Sequence, residues 1–480
     1  MNQAWYLALD QGGHASRAMV FDRRGDQVAS ATVDVTVRRD AEGRVEHDAR
    51  EMIESLRSAI RRVLAELGKH ASRVRAAGLA TQRSSIACWD REDGRPLSPI
   101  LSWQDRRADD WLSTRIAGQD WIHKRTGLFP SAHYGASKLF WCLDKLPEVA
   151  TAAREGRLTM GPMASFLAAR LTGEPRAFAD PANASRTLLW NIATGDWDAD
   201  LSRLFEIPQT ALPTCVPSRH AFGRLTDWPT PLPLEIVTGD QSAALFAYGE
   251  PDPDAVYTNM GTGAFVQRPL ASLLLAPRLL SSLVFRDASA SCFVLEGTVN
   301  GAGSALDHWA ARMGLEAGWQ SNLTDWMRTR DRDIPVFLNG VSGLGSPFWR
   351  PEFPVKMLGD GDMAAQMVAV AESIAFLVRE NLREMDASLP APKRMIASGG
   401  LARVEPLCQR LADLTGLVVG RREETEASAR GLAFLLAGRP RDWSNGGEAC
   451  FHASQDGALE ERYQRWRGAM RAERKRLDAP

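Results

Sequence analysis

Two aspartates stand where an apolar run gives way to glycine and small polar residues. Asp10 closes "YLALD" just ahead of Gly12-Gly13, and Asp240 follows "LEIVTG" just ahead of "QSAALF". A carboxylate at a strand end is held by a sheet rather than by a loop, so it can do work that needs a fixed position. It can hold a cation or accept a proton from a substrate hydroxyl. Simpler uses exist for both, since Asp satisfies backbone groups in turns and caps helices. Around Asp240, Gly239 would let a ligand approach the main chain, and Gln241 adds a polar side chain. Gly261-Thr262-Gly263 offers backbone N–H groups and one hydroxyl, which can cradle a phosphate. Gly399-Gly400, after the apolar "MIAS", would let a flat ligand lie against the main chain. None of these matches a Walker A or GxGxxG fingerprint, so the signal is their combination. Arg83 follows the strand-like "GLATQ", and Trp103 lies in "LSWQDRR".

The elements that must position these residues read as an alternation of strands and helices. "YLALDQGGHASRAMVFD" is a strand pair joined through Gly12-Gly13, whose freedom to take positive φ suits a tight hairpin. From Glu51 to Leu67, Met52, Ile53, Leu56, Ile60, Val63, Leu64 and Leu67 form one helical stripe, followed by a strand from Val74. "AVYTNMGTGAFVQRP" repeats the hairpin design in the second half of the chain, and "AAQMVAVAESIAFLVRENLREM" is a long helix. Strands and helices in that order predict α/β domains on mixed sheets, and the echoed hairpin suggests two related domains with a cleft between them.

With 480 residues, 44% hydrophobic, the chain can bury more than one core. A net charge of -1 gives no bulk reason to bind nucleic acid or an anionic membrane, which leaves small molecules or proteins as partners. Cys88, Cys142, Cys215, Cys292, Cys408 and Cys450 show neither a CxxC pair nor zinc spacing, as expected of a cytoplasmic protein. The apolar run Leu270 to Phe285 is broken by Pro277 and Arg278 and is too short to span a bilayer. No coiled-coil or interface signature fixes the oligomeric state, which stays open, a homodimer or homotetramer included.

The pieces "LALDQG..SRAMVFD", "ATQR....CWD...GRPL", "SWQDRRAD", "NASRTLLWNI...DWD", "GDQSAALF", "GTGAF" and "GLGSPFW" occur in this order along nearly the whole chain. Together they resemble the FGGY carbohydrate kinases, most closely the glycerol kinase branch. The resemblance implies two actin-like (ribonuclease H-like) α/β domains, residues 1–245 and 246–480, with an interdomain cleft for ATP and sugar. It implies Mg²⁺ at Asp10, with Gly12, Gly13 and Arg17 near the phosphates. Asp240 becomes the general base beside Gln241, Gly261, Thr262 and Gly263 face the transferred phosphoryl group, and Gly399 and Gly400 line the adenosine pocket. Arg83, Trp103 and Phe265 fall where a polyol is held.

Departures accompany the resemblance. Ser84 replaces a glutamate, and His133, with Tyr134 one step off, occupies the place of a tyrosine. A serine cannot accept from two neighbouring hydroxyls as a carboxylate can, so a polyol longer than glycerol, or a sugar, is expected. "DQGGHASR" lacks hydroxyls that the family carries at Gly13, His14 and Ala15. Ser398, Val404 and Glu405 replace an aspartate and two asparagines. The expected activity is ATP- and Mg²⁺-dependent phosphorylation of a terminal hydroxyl of a small polyol or sugar. The alternatives are a glycerol kinase proper and a catalytically weak nucleotide-sensing regulator.

Overall fold

The computed structural model describes residues 4–116, 120–329, 333–422, 426–443, 446–454 and 456–478. Two mixed sheets organise it. The first, in spatial order, runs Arg224–Leu225, Leu232–Gly239, Val74–Thr81, Trp5–Gln11, Ala15–Asp22, Gln27–Asp34. The second runs Leu280–Arg286, Ser291–Val299, Ala264–Leu270, Ala255–Met260, Arg394–Ser398, Val418–Arg422, Glu448–Phe451. In each, a hairpin supplies the antiparallel part and helical crossovers supply the parallel part. Among the described residues no helix is long and apolar enough to cross a membrane.

The expected amphipathic helix spans Ala49–Leu67, beginning two residues before the expected start at Glu51. Asp48 caps it, accepting from the N–H groups of Arg50 and Glu51 at 2.8 and 3.1 Å. Met52, Leu56, Ile60 and Val63 are fully buried against the first sheet. The long helix Met363–Asp386 underlies the second sheet in the same way, burying Val368, Ile374, Phe376 and Leu382 among others.

One hairpin expectation needs correction. Neither Gly12 nor Gly13 takes positive φ. The turn closes through Gly12 N–H donating to Ala15 O at 3.0 Å, and a Cβ on either glycine would make only ordinary contacts, 3.4 Å to Ala15 O and 3.5 Å to Gln82 Oε1.

The helix Ala427–Leu436, late in the chain, packs back onto the first sheet. Leu432, Ala433 and Phe434 share a buried cluster with Ala8, Ala76, Ala80 and Ile236. Gly431 makes this approach possible, since a Cβ there would stand 1.8 Å from Ala243 O in the helix Asp240–Ala244. Replacement by alanine must push two packed helices apart. Gly431→Ala is therefore expected to lower unfolding stability by about 1–3 kcal/mol. It should also reduce activity more than tenfold by displacing Asp240, as urea unfolding and an activity assay on folded protein would show; unchanged values in both would contradict this packing.

Candidate active site

Three parallel strands of the first sheet end together. In their register Thr81 lies between Gln11 on one side and Gly239 on the other. The next residues along two of these strands are Gln82 and Asp240, and Asp10 precedes Gln11. Asp10, Gln82-Arg83 and Asp240-Gln241 thus share one edge of one sheet, although more than 200 positions separate the first from the last. The strand bearing Asp240 is also tied to the second half of the chain, where Thr238 Oγ1 donates to Val284 O at 3.2 Å.

Asp10 is buried, and its Oδ1 has no hydrogen-bond partner within the protein. Burial, reinforced by the neighbouring Asp240 charge, pushes its carboxyl up to about 7; Arg17, 3.8 Å away, acts in the opposite direction. A buried carboxylate with an unpartnered oxygen beside other acidic groups suits a divalent cation. Among the described residues no group of three His, Cys, Asp or Glu side chains gathers for a metal. A cation at Asp10 therefore needs phosphate oxygens and water as its other ligands, which is how Mg²⁺ is commonly held. Arg17 lies between Asp10 and Glu426, 3.5 Å from the latter. His14 is exposed at the turn, its carbonyl accepting from Val35 N–H at 2.8 Å.

On the other side of the strand ends lies a buried polar network. Arg83 Nη2 donates to Gln241 Oε1 at 2.8 Å and stands 3.9 Å from Glu296 Oε2. Burial, and then the adjacent Arg186 charge, lowers the Arg83 guanidinium to about 10. Arg186 donates to both oxygens of Glu296 at 2.8 and 3.0 Å, and Gln267 Nε2 donates to Glu296 at 2.7 Å. These bonds hold Glu296 below the usual carboxylate range despite full burial, chiefly through Arg186. Tyr134 lies against Arg186, and burial raises its hydroxyl. Asp240 is raised as well, by burial, while Arg83 opposes the shift; its Oδ1 accepts from Gln241 N–H at 2.6 Å. Such a carboxylate can take a proton from a hydroxyl brought between Asp240 and Arg83.

The space beside the glycine before Asp240 is taken by a side chain of the protein. A Cβ on Gly239 would stand 2.5 Å from both Cγ and Cδ of Arg83, so its missing side chain makes room for that arginine. Ser84 follows at φ 66, a left-handed conformation uncommon outside glycine, and its buried hydroxyl has no partner. Trp103 and His133 meet at 5.4 Å between ring centroids, and His133 and Tyr134 at 5.0 Å edge to face. Buried Lys138 ties these loops together, donating to Ser102 O at 3.1 Å and His133 O at 2.7 Å. Burial holds the His133 imidazole well below its usual range, hence neutral. Phe265 is half-buried on the strand Ala264–Leu270, two residues from Gln267 and so on the face that meets Glu296.

In the second sheet, Asn259 pairs with Ser398, which brings Gly261 and Gly399 to one end. Thr262 is exposed at the turn, where its carbonyl accepts from the N–H groups of Ala302 and Ser304 at 3.0 and 3.1 Å. Gly399, exposed and at φ 87, lies with one side against Met260, where a Cβ would stand 2.5 Å from Met260 O. Gly400 is exposed as well, with nothing within 4 Å of where a Cβ would stand. Ser398 Oγ accepts from Asn259 Nδ2 at 3.1 Å. Glu405 is engaged by Arg328 at 3.0 Å and Arg421 at 3.5 Å.

Comparison with known proteins places this arrangement. The N-terminal domain of the FGGY family of carbohydrate kinases matches residues 5–247, and its C-terminal domain matches residues 256–438. The chain belongs to the FGGY family of carbohydrate kinases. It is a phosphotransferase acting on a sugar or polyol hydroxyl. The kinase is 34% identical over 445 residues to a glycerol kinase of Trichlorobacter lovleyi, covering 90% of this chain and 89% of the relative. To a glycerol kinase of Ralstonia nicotianae it is 35% identical over 444 residues, with the same coverage of each. In fold it matches the crystal structure of Plasmodium falciparum glycerol kinase with ADP, with TM-score 0.87 over 98% of both chains at 22% identity. A xylulose kinase from Rhodospirillum rubrum matches with TM-score 0.86 over 99% of this chain and 100% of that one, at 21% identity.

The kinase site contains residues that local sequence reading missed. Glu296 interrupts the apolar strand "SCFVLEGTV" and is fully buried; an ionisable residue in such a strand was the available signal. Arg186 sits in "NASRT", a motif whose resemblance was legible but whose partner was not. Gln267, Lys138 and Glu426 left no local mark.

Proposed function

We propose that this kinase transfers the γ-phosphoryl group of ATP to a terminal hydroxyl of a small polyol or sugar, with Mg²⁺ held at Asp10. The observation that carries this reading is the common edge of three parallel strands, with Asp10 on one side and Asp240 among Arg83 and Gln241 on the other. Asp240 accepts the hydroxyl proton. Arg83, Gln241 and Tyr134 orient the acceptor, and the rings of Trp103, His133 and Phe265 bound it. Gly12, Gly13 and Arg17 on one turn and Gly261, Thr262 and Gly263 on the other receive the phosphates, and Gly400 lies beside the adenosine with Gly399 shaping the turn. Mg²⁺ supplies charge neutralisation on the phosphates when bound. Positioning and electrostatics of this kind suffice for phosphoryl transfer.

Ser84 favours an acceptor other than glycerol. Its buried hydroxyl has no partner within the protein, and a buried polar group of that kind selects a ligand that pairs with it. The test is acceptor-dependent ADP release with Mg-ATP across glycerol, erythritol, other tetritols, pentitols and common ketoses. A tetritol, pentitol or ketose is expected to exceed glycerol in kcat/KM by more than tenfold. Glycerol leading by a wide margin would instead make the protein a glycerol kinase proper.

A further inference from the structure

Several polar atoms at the shared strand edge are buried without a hydrogen-bond partner: Asp10 Oδ1, Ser84 Oγ, Ser242 Oγ, and both amide atoms of Gln82. Gln82 stands out because its entire polar end is unsatisfied while the residue is only 3% exposed. A buried polar group left unpaired costs stability, and a carboxamide has two such ends. A leucine or methionine would fill the same volume without that cost.

The place of Gln82 indicates what the amide meets. Its strand, Val74–Thr81, is the middle of the three whose ends align. Its own N–H donates to Gln11 O at 2.9 Å, extending the ladder one residue past the strand and fixing the backbone. A Cβ built on Gly13 would stand 3.5 Å from Gln82 Oε1, so the amide lies against the floor of the first hairpin turn. Gln82 therefore sits between the cation-binding carboxylate on one neighbouring strand and the proton-accepting carboxylate on the other.

We propose that the Gln82 carboxamide is a catalytic group that donates from Nε2 to an oxygen of the γ-phosphoryl group as it passes from ATP to the acceptor. This deepens the kinase reading above and rests on it. In the step, the bond from phosphorus to the β,γ-bridging oxygen breaks and its electron pair stays with ADP. A bond forms from phosphorus to the acceptor oxygen, and the acceptor proton goes to the Asp240 carboxylate. The amide is neutral, so it can approach the phosphoryl oxygens without the repulsion that a third carboxylate at this edge would bring. Its Oε1 remains free to accept from a hydroxyl or from water on the cation.

The test compares Gln82→Leu and Gln82→Met with wild type, using the best acceptor of the panel and titration calorimetry for ATP. Loss of one preorganised donor to a developing charge lowers kcat by about 10²–10³-fold. Both variants are expected to show that loss with the ATP Kd and acceptor KM within about threefold of wild type, so that the kcat-against-KM split marks transition-state contact. Two variants guard against one that fails to fold. A kcat within twofold of wild type in either folded variant would overturn the proposal and leave internal water as the partner of Gln82. A loss carried wholly by the ATP Kd would also overturn it, as a ground-state contact. A wild-type protein silent toward every acceptor, with ATP still bound, would remove the kinase reading itself and the proposal with it.

Discussion

Asp240→Asn is expected to lower kcat by about 10²–10⁴-fold, the range ascribed to a positioned general base. The substitution keeps size and shape. It also keeps an oxygen to accept from Gln241 N–H, now at 2.6 Å, so the helix start and the Arg83–Gln241 contact should persist. What is lost is the ability to take the hydroxyl proton. ATP affinity should stay within about threefold, because in the proposed arrangement Asp240 meets the acceptor and not the nucleotide. Burial raises the Asp240 carboxyl, so wild-type kcat/KM for the acceptor should fall as pH drops through that raised value. The variant should lack that limb of the profile. Turnover within threefold of wild type would remove Asp240 from the role of base and favour a different proton acceptor.

Asp10→Asn should separate activity from stability. Turnover is expected to fall by about 10³-fold, since a cation lost from the phosphates forfeits several kcal/mol of charge stabilisation. The ligand-free protein, by contrast, should become more stable at neutral and alkaline pH. The Asp10 carboxyl is raised by burial, and then by Asp240, from 3.8 to about 7. A raised folded-state value means that the folded protein holds its proton when the unfolded chain has released it. The stabilising contribution is complete below 3.8 and is lost as pH rises through about 7. At pH 8 the wild type therefore carries the full penalty of an ionised buried carboxylate, roughly 4 kcal/mol. Asparagine carries none. Urea midpoints of both proteins at pH 4 and pH 8, without nucleotide or Mg²⁺, would show the difference opening with pH. Equal midpoints at both pH values would mean that Asp10 is solvated or paired in the folded state. Mg-ATP should narrow the gap by stabilising only the wild type.

The contrast between these variants reflects how the site is built. Asp240 is partly compensated by Arg83 and a backbone donor, whereas Asp10 keeps an oxygen with no protein partner. The first is held in place by its own protein partners before any ligand arrives. The second has an oxygen left for a ligand to meet, and in the proposed arrangement that ligand is the cation.

Much of this was legible in the chain itself. Apolar runs ending at Asp10 and Asp240 named both carboxylates, because a strand pattern broken by glycine and acid is a local signal. The amphipathic stripe of Met52, Leu56, Ile60 and Val63 named a helix for the same reason. The ordered motifs from "LALDQG" to "EASARGLAFLLAG" identified the family, since motif order along the chain needs no coordinates. What only the tertiary structure decided depends on distances across the chain. That Gly239 makes room for Arg83, that Gly399 but not Gly400 lies against Met260, and that Gly431 admits the Asp240 helix are statements about which atoms a Cβ would meet. Glu296 and Arg186, 110 positions apart, become one buried pair only when the second sheet closes on the first half of the chain. Local pattern determines which side chains a strand end presents. Parallel register between strands that crossovers bring together determines which of those ends stand side by side, and no single stretch of sequence carries that register.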